Sequence, residues 1–154
     1  MNASSRVLPG ASQGVGVFLS GDSLPRVTVG DSGQSDGSHT VVVSDGAGHV
    51  RIRREARRPF SRHLFTRDGQ VGWTLSTSPI LRHRHTLVLE SGAHWFLRTP
   101  FFSTRVSGTS RGGLRLAGQV QRATEWHFAL PHGCDAADFL AALGFLHRQW
   151  YLYS

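Results

Sequence analysis

The stretch Asp135-Ala-Ala-Asp-Phe-Leu-Ala-Ala-Leu-Gly-Phe-Leu-His147 decides the fold. Ala, Leu and Phe without a β-branched residue predict a helix over 136–147, with Asp135 as a suitable N-cap. From Phe139 to Leu146 no polar residue interrupts the run. A helix that is apolar all round is buried on every side. Its apolar part rises only ~12 Å, too little to cross a bilayer, so protein must surround it. Arg148-Gln149 reads as the end of the helix, before the aromatic Trp150–Tyr153. Upstream, Pro131-His-Gly-Cys134 breaks the chain.

The rest of the chain supplies the wrapping. Thr40–Ser44 and His49–Arg53 flank Asp45-Gly46-Ala47-Gly48, and Val50 and Ile52 alternate with Arg51 and Arg53. That is a hairpin with one buried face. Arg62–Thr66 and a strand containing Val71, Trp73 and Leu75 flank Asp68-Gly69, a second hairpin signal. His85–Glu90 and His94–Arg98 form the third, which Pro100 ends. Phe101–Val106 leads through a Ser/Gly-rich turn at 107–113 to a strand at 114–121, where Leu114, Leu116 and Val120 share a face. Thr124–Leu130 is the last strand.

Enclosing a helix takes a closed sheet, and closure removes exposed strand edges. The expected fold class is mainly β: a β-barrel of antiparallel hairpins with one buried hydrophobic C-terminal α-helix. Residues 39–154 are the barrel, with its helix near 135–147. Residues 1–38 are a Gly/Ser-rich N-terminal segment. Its first dozen residues are expected to be disordered, and Val15–Leu19 and Val27–Val29 are candidate first strands.

The 154 residues amount to about one domain. All 17 basic residues are Arg, and the net charge is +7. The scarcity of Lys, Ile and Asn fits GC-rich codon usage, so the choice of Arg over Lys says little by itself. The charge still favours anionic partners. The single cysteine, Cys134, permits no intrachain disulfide. No signal peptide and no membrane-spanning run is visible, so the expected location is cytoplasmic, or peripheral at the membrane. Walker A, GxGxxG, HExxH, CxxC and GxSxG motifs are missing, and the few acids sit mostly in turns. An enzyme is not expected, nor a cofactor or a metal.

Gly118-Gln-Val-Gln-Arg122, the strand ending at Pro131, and the acidic start of the apolar helix resemble the C-terminal end of the tubby-like superfamily. That group includes phospholipid scramblases, LURP-one-related proteins and the tubby domain. Gly118, Val120 and Arg122 match its G-x-[IV]-x-[KR] strand. Phe128 and Pro131 match the next strand and its bend. Asp135, Asp138, Ala141, Leu143, Gly144 and Phe145 match the helix. The resemblance covers roughly residues 40–150 and implies a barrel of twelve strands around a central helix. The strands above, even with two weaker runs before residue 30, fall short of twelve, which would leave the barrel shortened or open. The resemblance also implies binding of phosphoinositide or other phospholipid headgroups. Scramblase-like cysteine clusters are missing, as is an acidic calcium-binding stretch after the helix, which argues against calcium-activated scrambling.

The densest basic region runs from Arg51 to Arg67 and holds Arg51, Arg53, Arg54, Arg57, Arg58, Arg62 and Arg67 against Glu55. Arg is a bidentate phosphate ligand. Arg82-His83-Arg84-His85 is a second cluster; in a strand His83 and His85 would point the same way, as a metal pair would, but no third ligand is identifiable. Cys134 precedes the helix, where a thiol pKa can fall. Trp73, Trp95, Trp126, Phe96, Phe101 and Phe102 either fill the barrel or form a stacking platform. The expected ligand-binding residues are Arg51, Arg53, Arg54, Arg57, Arg58, Arg82 and Arg84. The expected partner is an anionic membrane lipid. A nucleic-acid module using Arg51–Arg67, and a protein-interaction scaffold without a small ligand, stand as alternatives.

Overall fold

In the computed structural model, α1 (Ala137–Tyr153) is the axis about which the other elements are arranged. Twelve strands precede it: β1 (Asn2–Val7), β2 (Val15–Leu19), β3 (Val27–Asp31), β4 (His39–Val43), β5 (His49–Arg57), β6 (Phe60–Arg67), β7 (Gln70–Thr77), β8 (Arg84–Leu89), β9 (His94–Arg98), β10 (Arg105–Ser110), β11 (Arg115–Arg122) and β12 (Glu125–Ala129). The structure describes residues 1–10, 13–31, 39–43, 49–57, 60–67 and 70–153; side chains at 39–43, 49–51, 53–57 and 60–61 lie outside that description.

Every strand pairs antiparallel with its sequence neighbours, and β1 pairs with both β2 and β12, so the ladder closes into a barrel. The closing register runs from Asn2 opposite Ala129 to Arg6 opposite Glu125. This corrects two expectations. The first residues are not disordered, because Asn2–Val7 is the strand that seals the ring. Residues 1–38 contribute three strands, so the barrel is neither shortened nor open.

The barrel interior is filled by α1. Residues Phe139 to Arg148 are all buried. Each of three barrel tryptophans meets a helix ring: Trp95 packs on Phe139 at 4.9 Å, Trp73 on Phe145 at 6.3 Å, and Trp126 stacks on His147 at 4.4 Å. Offset and tilted pairs of this kind suit the ring quadrupoles. Arg148-Gln149 does not end the helix, which continues to Tyr153. The Arg148 side chain instead turns to the barrel end, where its Nε donates to the Gln13 carbonyl at 3.2 Å. The helix opens with the Leu140 N–H donating to the Ala136 carbonyl, so Ala136 rather than Asp135 holds the cap position.

Local register explains the other departures. Phe65 faces Trp73 and Thr66 faces Val71, leaving Gly72 as an extra residue in β7. This bulge turns Val71 outward, 47% exposed, while Trp73 and Leu75 stay in the core. A Cβ at Gly72 would lie 2.8 Å from Phe65 Cδ1, so the bulge needs glycine. The turn expected at 107–113 is tighter, since β10 runs to Ser110 and Phe101–Thr104 lie in the connection before it. Leu114 belongs to that turn and is exposed, while Leu116 is buried. The turns expected at 45–48 and at 68–69 lie outside the described residues.

Candidate anion-binding face

Strand alternation sorts β8 and β9 into two faces. Leu87, Trp95 and Leu97 enter the core, whereas Arg84, Phe96 and Arg98 face outward. The register sets Arg84 directly opposite Arg98. Ser107 of β10 stands next in that row, opposite Arg98. In the adjacent row Ser76, Thr86, Phe96 and Thr109 follow one another across β7, β8, β9 and β10. These residues line a groove of about 710 Å³ on the outside of the barrel.

The electrostatics of the face are one-sided. Between Val71 and Leu130 the acids are Glu90 and Glu125, against Arg82, Arg84, Arg98, Arg105, Arg111, Arg115 and Arg122. Glu90 lies in the β8–β9 turn, at the other end of the barrel. Glu125 is engaged by His127 at 2.7 Å and by Arg6 at 3.8 Å. The His127 hydrogen bond is the main cause that holds its carboxyl below the usual range. Among the described residues, neither Arg84 nor Arg98 has an ion pair. Like charges directly opposite on neighbouring strands cost ~0.2–1 kcal/mol. An anion between them reverses the sign, and two guanidinium forks flanked by Ser and Thr hydroxyls match the oxygens of a phosphate.

The end of the face is held by a polar relay. Thr77 Oγ1 meets His85 Nδ1 at 2.9 Å, and His85 Nε2 meets Thr99 Oγ1 at 3.1 Å. The Thr99 N–H donates to the His83 carbonyl at 2.9 Å. Burial, then the neighbouring His83 and His63, push the His85 pKa down to about 4. His85 is therefore neutral at pH 7.

The expected site residues divide. Arg84 lies in the groove, and Arg82 is exposed in the turn that precedes it. Arg51, Arg53, Arg54 and Arg57 stand on β5, opposite Thr66, Leu64, His63 and Phe60, with their side chains outside the described residues. Arg58 lies outside them altogether. β6 and β7 intervene between β5 and β8, so the cross-strand partner of Arg84 is Arg98, a residue the sequence reading did not single out. Its signal was present: the alternation in His94–Arg98 sends Phe96 and Arg98 to the same outer face.

Other candidates change character. His83 is in a turn, stacked on Phe101 at 4.3 Å, while His85 is on β8, so the two are not a ligand pair. Among the described residues no group of three potential ligands could hold a metal ion. The Cys134 thiol is pushed up, not down, by burial and by Asp135. Ser5 and His147, 2.7 Å apart, are both fully buried and reach no solvent. No helix among the described residues is long and apolar enough to cross a membrane. No protein-family model, curated protein or solved structure matches this chain.

Proposed function

We propose that this barrel is a non-enzymatic binder of phosphate-bearing anions, with phospholipid headgroups as the leading ligands. The observation that carries the reading is the cross-strand pair Arg84–Arg98, without an ion pair among the described residues, in a hydroxyl-lined groove. Arg82 adds charge from the adjoining turn, and β5 brings Arg57 to the same end of the barrel. The resemblance of Gly118, Val120, Arg122 and the apolar helix to the tubby-like superfamily points to the same ligand class.

A nucleic acid is the second reading, favoured by Phe96, which is 50% exposed in the groove and offers a ring for base stacking. Salt weakens both modes, so salt dependence does not separate them. Competition does. Phosphatidylserine vesicles and a labelled single-stranded oligonucleotide are offered together to the protein and to R84E/R98E. The headgroup reading expects vesicle binding that excess oligonucleotide leaves in place and the double variant abolishes. Oligonucleotide binding that displaces the vesicles would transfer the site to nucleic acid.

A further inference from the structure

Two connections leave the barrel beside the anion-binding face. Residues 78–83 join β7 to β8, and residues 99–104 join β9 to β10. Strand directions alternate, so both emerge at one end. Their tips are apolar and exposed: Ile80 is 87% exposed, Phe101 56% and Phe102 97%, with Leu81 beside them. Exposing so much apolar surface in one place is unusual for a side that meets only water.

These tips are fixed in place. His83 and Phe101 lie parallel, 4.3 Å apart, and Phe101 meets Phe102 edge-on at 4.4 Å. The Leu81 N–H donates to Ser78 Oγ, and the Arg105 N–H to Ser103 Oγ. Phe102 has φ of 52°, in the left-handed region. A bulky side chain seldom adopts it, and such strain gathers where a segment is shaped for a task. The rim below carries Arg82, Arg84, Arg98 and Arg105, all exposed and without ion pairs among the described residues.

We propose that these two connections form a bilayer-insertion tip. Ile80, Leu81, Phe101 and Phe102 enter the acyl boundary of an anionic membrane, while Arg82, Arg84, Arg98 and Arg105 meet its headgroups. The apolar tip above Arg82, Arg84, Arg98 and Arg105, which have no ion pair among the described residues, matches the order of layers in an anionic leaflet. The inference rests on the headgroup reading and adds to it the depth and orientation of binding.

The test separates the two claims. Full-length protein, F101S/F102S and R84E/R98E are each titrated with inositol hexakisphosphate, a soluble polyphosphate, and with phosphatidylcholine vesicles with and without phosphatidylserine. The expected result is that F101S/F102S keeps inositol hexakisphosphate binding and binds phosphatidylserine vesicles roughly 10–100-fold more weakly. R84E/R98E is expected to lose both. Unchanged vesicle binding by F101S/F102S would overturn the tip while leaving the headgroup site standing. Wild-type protein that binds neither probe would overturn the headgroup site and the tip with it. A second readout uses F102C in a C134S background, labelled with a polarity-sensitive dye. Its emission is expected to shift to the blue on phosphatidylserine vesicles, and an unshifted spectrum on vesicles that bind the protein would exclude insertion.

Discussion

At the scale of single residues, His147 shows how the barrel interior deals with a polar group. It has no exposed surface, its Nδ1 accepts from the Ser5 hydroxyl at 2.7 Å, and its Nε2–H donates to the Ala123 carbonyl at 3.0 Å. Burial pushes its pKa down from 6.5 to about 4. The unfolded chain then binds a proton more readily than the folded one between these values, so stability is complete above about pH 6.5 and declines as pH falls toward 4. The loss is roughly 3 kcal/mol from this residue. Chemical denaturation at pH 7.0 and 4.5 checks the sign, and a midpoint that rises on acidification would contradict it. Ser5→Ala leaves the Nδ1 acceptor buried without a donor and is expected to cost about 1–3 kcal/mol in the same assay. The buried Nε1–H groups of Trp73 and Trp126 lack acceptors among the described residues, so the core has little margin for a further orphan.

At the scale of elements, the helix was the most legible part of the chain. Phe139–Leu146 has no polar residue, and that pattern alone requires enclosure. Its exact length was less legible, because Arg148 reads as polar in sequence yet satisfies its guanidinium at the barrel mouth, against the Gln13 carbonyl and near Asp31. The close approach of helix to wall depends on Gly144, where an added Cβ would lie 2.9 Å from Val17 Cγ2 and 3.4 Å from Val29 Cγ2. Alanine would gain helix propensity of ~1 kcal/mol. The valines are branched and stiff, so the clash outweighs that gain. Gly144→Ala is expected to destabilise by about 1–2 kcal/mol net, read as a lower denaturation midpoint. An increase would show that the helix can shift away from β2 and β3. The bulge at Gly72 was not legible. Strict alternation puts Val71 with Trp73, and only the pairing with β6 reveals the extra residue that separates them.

At the scale of the whole molecule, closure depends on the segment that composition reads least well. Asn2–Val7 is short, polar at both Ser4 and Ser5, and followed by Pro9-Gly10, which in sequence looks like a loose end. Its strand character comes from what it joins, since β2 and β12 each present an edge that only β1 covers. Removing residues 1–8 is expected to abolish the cooperative near-ultraviolet transition, and an unchanged transition would show that the ring closes without β1. The candidate site was half legible for a related reason. Charge runs are visible in a sequence, so Arg82 and Arg84 stood out; the juxtaposition of Arg84 with Arg98 is a property of register and appears only once the strands are paired. Of the exposed tip only Phe101 and Phe102 stood out in the sequence; that Ile80 and Leu81 emerge at the same end follows from the strand order. The central claim is that this end of the barrel docks on anionic membranes. Co-flotation with vesicles at ~0.15 M salt, where long-range attraction is screened beyond ~8 Å, tests it most directly. The account predicts that the protein floats with phosphatidylserine vesicles and stays behind with pure phosphatidylcholine. Protein that remains at the bottom of both gradients would contradict it.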